Sequence, residues 1–293
     1  MSHRTPPLSL LTYPYTRLHP LTAGRGELRE RTRHPGSALV WFMGSGNLDL
    51  TAEVAAGRPG GVSLLVVLPP GERVAEDPNV LGAVQQCRPH GILPYHPNPL
   101  PHELAQVLRR PPVDLGGDVI DYLAWRGLLV DRDTGHVIRR VIDLSASLRS
   151  VSAVSRSMYL SRRSLGRRLM SRGLPVASHW LQVGRLLRVA VKLQNTDATV
   201  ASVAFDLGYP DGFSVSNQME RLIGYRPSEV RSHLGWEWVL EAWLKREAAL
   251  GRLTPSLGRL LTGGREDPPG TAAPPRRRRR SGRAEQRPEE AGS

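Results

Sequence analysis

The apolar positions of this chain fall into two regimes. Between Ser37 and Arg109, three short apolar runs, Ser37 to Met43, Val62 to Leu68 and Gly91 to Tyr95, alternate with the amphipathic segments Leu48 to Ala56, Val80 to Cys87 and His102 to Arg109. Short runs rich in strand formers and bounded by glycine and proline read as buried strands, and the segments between them as helices. The order β-α-β-α-β-α predicts an α/β N-terminal module over residues 37–116, with a small parallel sheet covered by helices. Beyond it the period is helical. Ile120, Leu123, Ala124, Gly127 and Leu128 line one side of a linker helix over residues 117–132, a stripe that core packing or dimerisation would use. Thr134 to Leu144 opens an all-α C-terminal domain over residues 133–250, whose last stripe is Trp236, Leu240, Trp243 and Leu244. Residues 1–36 are left as an N-terminal extension. Residues 251–293, with Arg276 to Arg280 amid Pro, Gly and Ala, read as a disordered basic tail with too little apolar surface to order itself.

Two segments of the helical half repeat one design. From Thr196 to Arg231, Val200, Val203, Ala204 and Leu207 form an apolar stripe, Gly208 stands where a left-handed residue ends a helix, and Asp211 can cap the next. In that second helix Val215, Met219 and Leu222 face inward, leaving Gly212, Phe213, Ser216 and Asn217 outward at its N-terminal end. From Val151 to Gly173, Ser161 can cap a helix with Leu165 and Leu169 inside and Arg162, Arg163, Gly166 and Arg167 outside. Here Tyr159 occupies the glycine place, which predicts a positive φ at a non-glycine residue or an altered turn. Val176 to Leu193 lies between the two as a helix of about 18 residues, roughly 27 Å long.

These residues resemble the AraC/XylS family of bacterial transcription regulators. The family pattern is carried downstream by Ala204, Gly208, Tyr209, Asp211, Val215, Met219, Gly224, Pro227, Ser228, Val230 and Arg231, with Val215 and Met219 replacing phenylalanine and Asn217 replacing the usual arginine. Arg185 and Leu186 match the opening of the family's linker-helix motif. The resemblance implies two helix-turn-helix units joined by a long helix, each with a recognition helix in the major groove. It places Arg163, Gly166 and Arg167 at groove-reading positions of the first unit, and the outward residues of the second at base edges.

Charge agrees with that implication. The formal net charge is +13, and from Leu144 through Thr196 there is no Asp or Glu beside Arg149, Arg156, Arg162, Arg163, Arg167, Arg168, Arg172, Arg185, Arg188 and Lys192. From Asp197 to Glu229 acids outnumber bases, so the first unit is expected to be the electrostatic anchor and the second to contribute shape and base contacts. A membrane surface is the competing polyanion. It is disfavoured because no apolar run approaches the ~20 residues of a spanning helix. The opening twenty residues hold too short and too proline-broken an apolar patch for a secretory signal, which places the chain in the cytoplasm, associated with the nucleoid.

The front module weakly resembles the second half of a response-regulator receiver domain over about residues 37 to 110, in degenerate form. Val62 to Leu68 runs into Pro69 where a phosphoacceptor aspartate would stand, Met43-Gly44-Ser45 lacks acids, and His96 stands at the lysine-like place. Cys87, His90, His96 and His102 are zinc-type ligands, but their spread and the intervening prolines disfavour a compact site. Cys87 does not reproduce the Pro-Cys-His-Arg order of the alkyl-repair domains that are fused to some AraC-type modules, and Gly44-Ser45-Gly46 lacks a phosphate-loop continuation. No catalytic residue, metal or cofactor is therefore assigned. The reading is a sequence-specific regulator, not an enzyme, whose partner is double-stranded DNA, with RNA polymerase and a second copy as further candidates. The competing readings are a non-specific architectural DNA protein and an enzyme carrying an AraC-type targeting module.

Overall fold

The computed structural model describes residues 7–262 apart from 22–24, 33, 44–47, 71–77 and 97, so Gly44-Ser45-Gly46 and Arg276 to Arg280 lie outside the described residues. The chain opens with strands β1 (Leu8–Leu11) and β2 (Leu18–Pro20) and helix α1 (Arg25–Arg31). The predicted alternation follows as β3 (Ala38–Phe42), α2 (Leu48–Ala56), β4 (Ser63–Val67), α3 (Pro78–Cys87), β5 (Gly91–Leu93) and α4 (Pro101–Arg109). Strand order is β2-β1-β3-β4-β5. β3, β4 and β5 pair in parallel, as their helical crossovers require, whereas β1 lies antiparallel to both β2 and β3. The sheet is thus mixed, where the sequence suggested parallel strands alone. Leu8 to Leu11 gave no strand signal because it is four residues long, flanked by prolines and far in sequence from its partner β3.

Side-chain alternation along the strands builds two cores, one on each face. Leu10, Leu39, Trp41, Leu64 and Val66 meet α1, α2 and α3 through Leu28, Ala55, Val84 and Cys87. Leu11, Val40, Leu65 and Val67 face α4 through Leu104, Val107 and Leu108. A sheet covered on both faces explains why its strands read as continuous apolar runs.

The rest is helical: α5 (Leu115–Trp125), α6 (Arg132–Leu144), α7 (Val151–Ser157), α8 (Arg162–Met170), α9 (Ala177–Asn195), α10 (Val200–Asp206), α11 (Gly212–Ile223), α12 (Pro227–Ser232), α13 (Glu237–Ala249) and α14 (Pro255–Thr262). One continuous core runs through them, from Leu115 to Leu261. α5 and α13 belong to it as fully as the helix-turn-helix helices do. At its centre Trp180 of α9 meets Trp243 of α13 edge to face, ring centroids 4.8 Å apart. α14, in a stretch read from sequence as tail, is ordered because Leu253 and Leu261 are buried in this core.

Two buried carboxylates of α13 join the sheet to the helices. Glu237 accepts from Ser63 Oγ at the start of β4, lies 2.9 Å from Arg88 Nη1 and 3.0 Å from His90 Nδ1, and is 1% exposed. Glu241 accepts from Tyr122 Oη of α5 at 2.8 Å and from Arg126 Nε and Nη2 at 3.0 and 2.9 Å, while Tyr122 Oη accepts from Gly61 N at 2.8 Å. Gly61 has φ +83 and a Cβ there would stand 3.1 Å from the Trp238 Cα, so the loop before β4 touches α13 backbone to backbone. On the far side of this seam Leu234 enters the sheet's own core, and its N–H donates to Tyr15 Oη at 2.7 Å. Burial pushes the Tyr15 hydroxyl up to about 12 against the lowering effect of that bond, so it remains a neutral donor to Gly36 O at 2.9 Å.

Burial alone would raise the Glu237 carboxyl, but His90, Arg88 and Ser63 hold it well below the usual carboxylate range. A depressed folded-state value makes its stabilisation fully present above the unfolded value of about 4.3 and progressively lost as pH falls toward the folded one. Glu237→Gln should therefore lower unfolding free energy near pH 7 by about 3 kcal/mol, because it leaves Arg88 unneutralised beside a buried site. In urea titrations the gap between wild type and variant should narrow as pH drops from about 5 to about 3. A gap unchanged over that range would show that packing, not charge, supports the seam.

Candidate nucleic-acid interface

The two predicted units close with the same turn. Leu160 N donates to Ser155 O at 2.9 Å and Tyr159 N to Arg156 O at 3.0 Å; Tyr209 N donates to Ala204 O at 2.8 Å and Gly208 N to Phe205 O at 2.9 Å. This paired pattern satisfies the last carbonyls of α7 and α10, and it needs one left-handed residue. That residue is Gly208 (φ 64) in the second unit and Tyr159 (φ 55) in the first. The family turn is thus kept and Tyr159 bears the strain, its side chain 98% exposed and packing against nothing.

Each second helix starts at the residue expected to cap it. Ser161 Oγ accepts from Ser164 N at 3.0 Å, and Asp211 Oδ1 from Ser214 N at 2.7 Å. The Ser214 amide, the main lowering influence, holds the Asp211 carboxyl below its ordinary value, so it stays an acceptor. Pro210 is the extra residue that separates the second turn from its cap.

In α8, Leu165 and Leu169 are fully buried and Arg162, Arg163, Arg167 and Arg168 are exposed. Gly166 faces open space, since a Cβ there would meet nothing within 4 Å. None of these arginines has an ion-pair partner among the described residues. With no acid in the first turn, Arg162 and Arg163 place like charges beside the positive end of the helix dipole, while Arg167 and Arg168 stand in the last turn. An anion docked there would relieve that repulsion. Arg168, outside the sequence-derived set, is exposed too but turns to another side of α8, where it lines a cleft with Asp121, Asp131 and Asp133.

In α11, Phe213 is 81% exposed and Asn217 exposed, while Val215 and Met219 are buried. Ser216 is half-buried and its Oγ donates to Gly212 O at 3.0 Å, which commits the hydroxyl to its own helix. Gly212 faces α10: a Cβ there would stand 3.4 Å from Ala201 N, so the glycine serves the close approach of the two helices. Phe205 of α10, 83% exposed, escaped the sequence reading because a lone phenylalanine beside an apolar stripe reads as core.

The basic run divides once its contacts are known. Arg185 lies 3.9 Å from the centroid of the Tyr209 ring and donates to Leu207 O and Gly208 O, both at 3.3 Å, so it clamps the second turn to α9. Arg188 donates to Ile142 O at the end of α6 at 3.1 Å, Lys192 pairs with Asp206, and Arg172 pairs with Asp131 at 3.0 Å. Arg231 donates to Thr196 O at 2.7 Å and to Ala198 O, fixing the chain that enters α10. The connector α9 is 19 residues long, about 28 Å at 1.5 Å per residue, and carries eleven buried residues, so it is a strut of the core between the two units. Among the described residues no group of three or more His, Cys, Asp or Glu is placed to hold a metal ion, and no helix is long and apolar enough to cross a membrane. Cys87, the last residue of α3, is buried, its Sγ 3.4 Å from Ala52 O of α2.

Tyr159→Gly should raise stability by about 1 kcal/mol, since the left-handed strain disappears and no packing is lost. Gly208→Ala should lower it by a similar amount, because the new methyl meets the Arg149 guanidinium at 2.1 Å and adopts φ 64. Urea midpoints of the two variants displaced in the same direction would refute the shared-turn description.

The profile of a family described as helix-turn-helix domain matches residues 154–233, from the middle of α7 to the residue after α12. No protein of curated function matches the chain. A solved structure described as that of the xylose-binding transcription activator XylR is similar at 13% identity and a TM-score of 0.34, over 64% of this chain and 58% of that one. The match takes in most of the first unit, the strut and the whole of the second unit, so residues 154–233 of the chain form a helix-turn-helix domain of the kind that binds DNA.

Proposed function

We propose that the chain is a sequence-specific regulator that reads two adjacent major grooves on one face of double-stranded DNA, with α8 in one and α11 in the next. The observation that carries this reading is α8 itself: four exposed arginines without ion-pair partners among the described residues on a capped helix, one connector of about 28 Å away from a second helix that is likewise side-chain capped and preceded by the same turn. Successive grooves on one DNA face lie about 34 Å apart, so a single chain can span them without a second copy. The roles differ. α8 supplies phosphate attraction and guanidinium contacts. α11, with Phe213 and Asn217 outward, supplies an apolar contact suited to a thymine methyl and one amide able to pair with adenine. Transcriptional output then requires RNA polymerase as the further partner.

Footprinting of the monomer on its operator should show two protected major-groove segments about 10 base pairs apart. Protection of one segment alone would refute the two-groove arrangement and leave α8 as a general anchor.

Arg163→Ala and Arg167→Ala should each weaken binding more than Ser216→Ala, whose hydroxyl is already spent within α11. An arginine that contacts phosphate should lower the salt slope by about one and weaken all sequences alike; one that reads guanine should cost about 1 to 3 kcal/mol of discrimination at one position. Salt-dependent titrations on operator and scrambled DNA separate these outcomes. Unchanged affinity and specificity in both variants would remove α8 from the interface.

A further inference from the structure

We propose that Tyr159 is a further DNA contact, its hydroxyl donating to a phosphate oxygen at the wall of the groove that α8 enters. Both turns need a left-handed residue, and Tyr159 (φ 55) supplies it in the first unit where Gly208 supplies it in the second without a side chain. Backbone strain of this kind persists only where the surroundings over-determine it, and it gathers at functional positions. Here the surroundings are a fixed turn: Tyr159 N donates to Arg156 O at 3.0 Å, Leu160 N to Ser155 O at 2.9 Å, and Ser161 Oγ accepts from Ser164 N at 3.0 Å. The ring gains nothing from the fold in return, since it is almost wholly exposed and meets no other side chain among the described residues.

The two turns also differ in what covers them. At Gly208 a Cβ would stand 2.1 Å from an Arg149 Nη, and Arg185 holds the carbonyls of Leu207 and Gly208, so the second turn has no room for a side chain. At the first turn the side chain reaches solvent, in sequence between Arg156 at the end of α7 and Arg162 and Arg163 at the start of α8, all three exposed. No acid lies in the run from Leu144 to Thr196, so the surface about Tyr159 attracts an anion. A helix that enters the major groove by its N-terminal end brings the residues just before its cap to the phosphates bordering that groove, and Tyr159 lies two residues before the cap Ser161. Tyrosine hydroxyls are among the donors that phosphate oxygens accept from, in contacts that fix register without reading sequence. The ring has two torsions to lose and its backbone is already fixed, so the cost of ordering it falls on folding and not on binding. This contact rests on the reading of α8 under Proposed function, and adds to it a neutral donor that net charge does not reveal.

The test is titration of the full chain, followed by fluorescence anisotropy at several salt concentrations, against two duplexes of about 30 base pairs, roughly three helical turns, one A·T-rich and one G·C-rich. Tyr159→Phe should weaken binding to both alike, by about tenfold, the size of one hydrogen bond to a charged group. Its salt slope should equal that of wild type, because a neutral hydroxyl displaces no counterion, whereas losing a phosphate-bound arginine lowers the slope by about one. Tyr159→Gly should lose at least as much affinity while its urea midpoint rises, opposite signs that a folding defect cannot give. A loss below about threefold in Tyr159→Phe, a loss confined to one duplex, or a slope lowered by about one overturns the phosphate contact. Arg163→Ala on the same duplexes separates this contact from the interface it joins. Weakening by the arginine variant alone overturns the role of Tyr159 and keeps α8 in the groove. Weakening by the tyrosine variants alone keeps the contact and overturns the arginine anchor, while a chain indifferent to all three, or one that binds neither duplex, overturns both.

Discussion

Two carboxylates that the protein has taken out of water determine how its parts sit together. A buried charge is tolerated when it is paired and its lone pairs are occupied, and Glu237 and Glu241 meet that condition with groups drawn from three separate regions of sequence: Ser63 at the start of β4, Arg88 and His90 after α3, and Tyr122 of α5 with Arg126 just beyond it. Remove α13 and the arginines at the foot of the sheet lose their counter-charge. Remove the sheet and Glu237 becomes an isolated buried anion. Hydrophobic packing brings the bodies into contact, but these directional pairs set their mutual orientation.

Around that seam arginine does structural work of several kinds. Arg58, 3% exposed, donates to the carbonyls of Ala55, Val62, Cys87 and Arg88 and lies 4.1 Å over the Trp125 ring, closing the helix and loop ends that surround it. Burial lowers its guanidinium to about 10, which still leaves it charged at neutral pH. Arg185, Arg188 and Arg231 similarly occupy helix ends and turns in the DNA-binding half. High net charge is therefore a poor measure of what DNA can meet. The arginines of α8 are distinguished by the want of any such engagement.

Local rules made much of this legible in the sequence. Ser161 and Asp211 announced their helices because capping is a matter of one side chain and one amide three residues on. The three parallel strands were legible since both faces are covered and their apolar runs are unbroken. Tyr159 declared its strain through the turn it occupies. What escaped depends on distance in sequence: the pairing of Leu8 to Leu11 with β3, the seam between Ser63 and Glu237, the ordering of α14 by Leu253 and Leu261, and the diversion of Arg185 and Arg188 from solvent to carbonyls. At the interface, the caps and the α8 arginines were readable, whereas the inward turn of Gly212 and the exposure of Phe205 follow from how α10 and α11 cross.

Leu234 sits one residue beyond the matched helix-turn-helix segment, yet its side chain completes the core under the other face of the sheet. The DNA-binding half is accordingly no interchangeable cassette. A chimera spliced just after α12 would strip an apolar plug from the front module and leave Tyr15 without the amide it accepts from, so recombination between relatives would have to exchange the 234–241 segment together with the sheet edge it fits. A substitution on the exposed faces of α8 and α11 therefore stands alone, whereas one at this joint calls for a matching change on its other side.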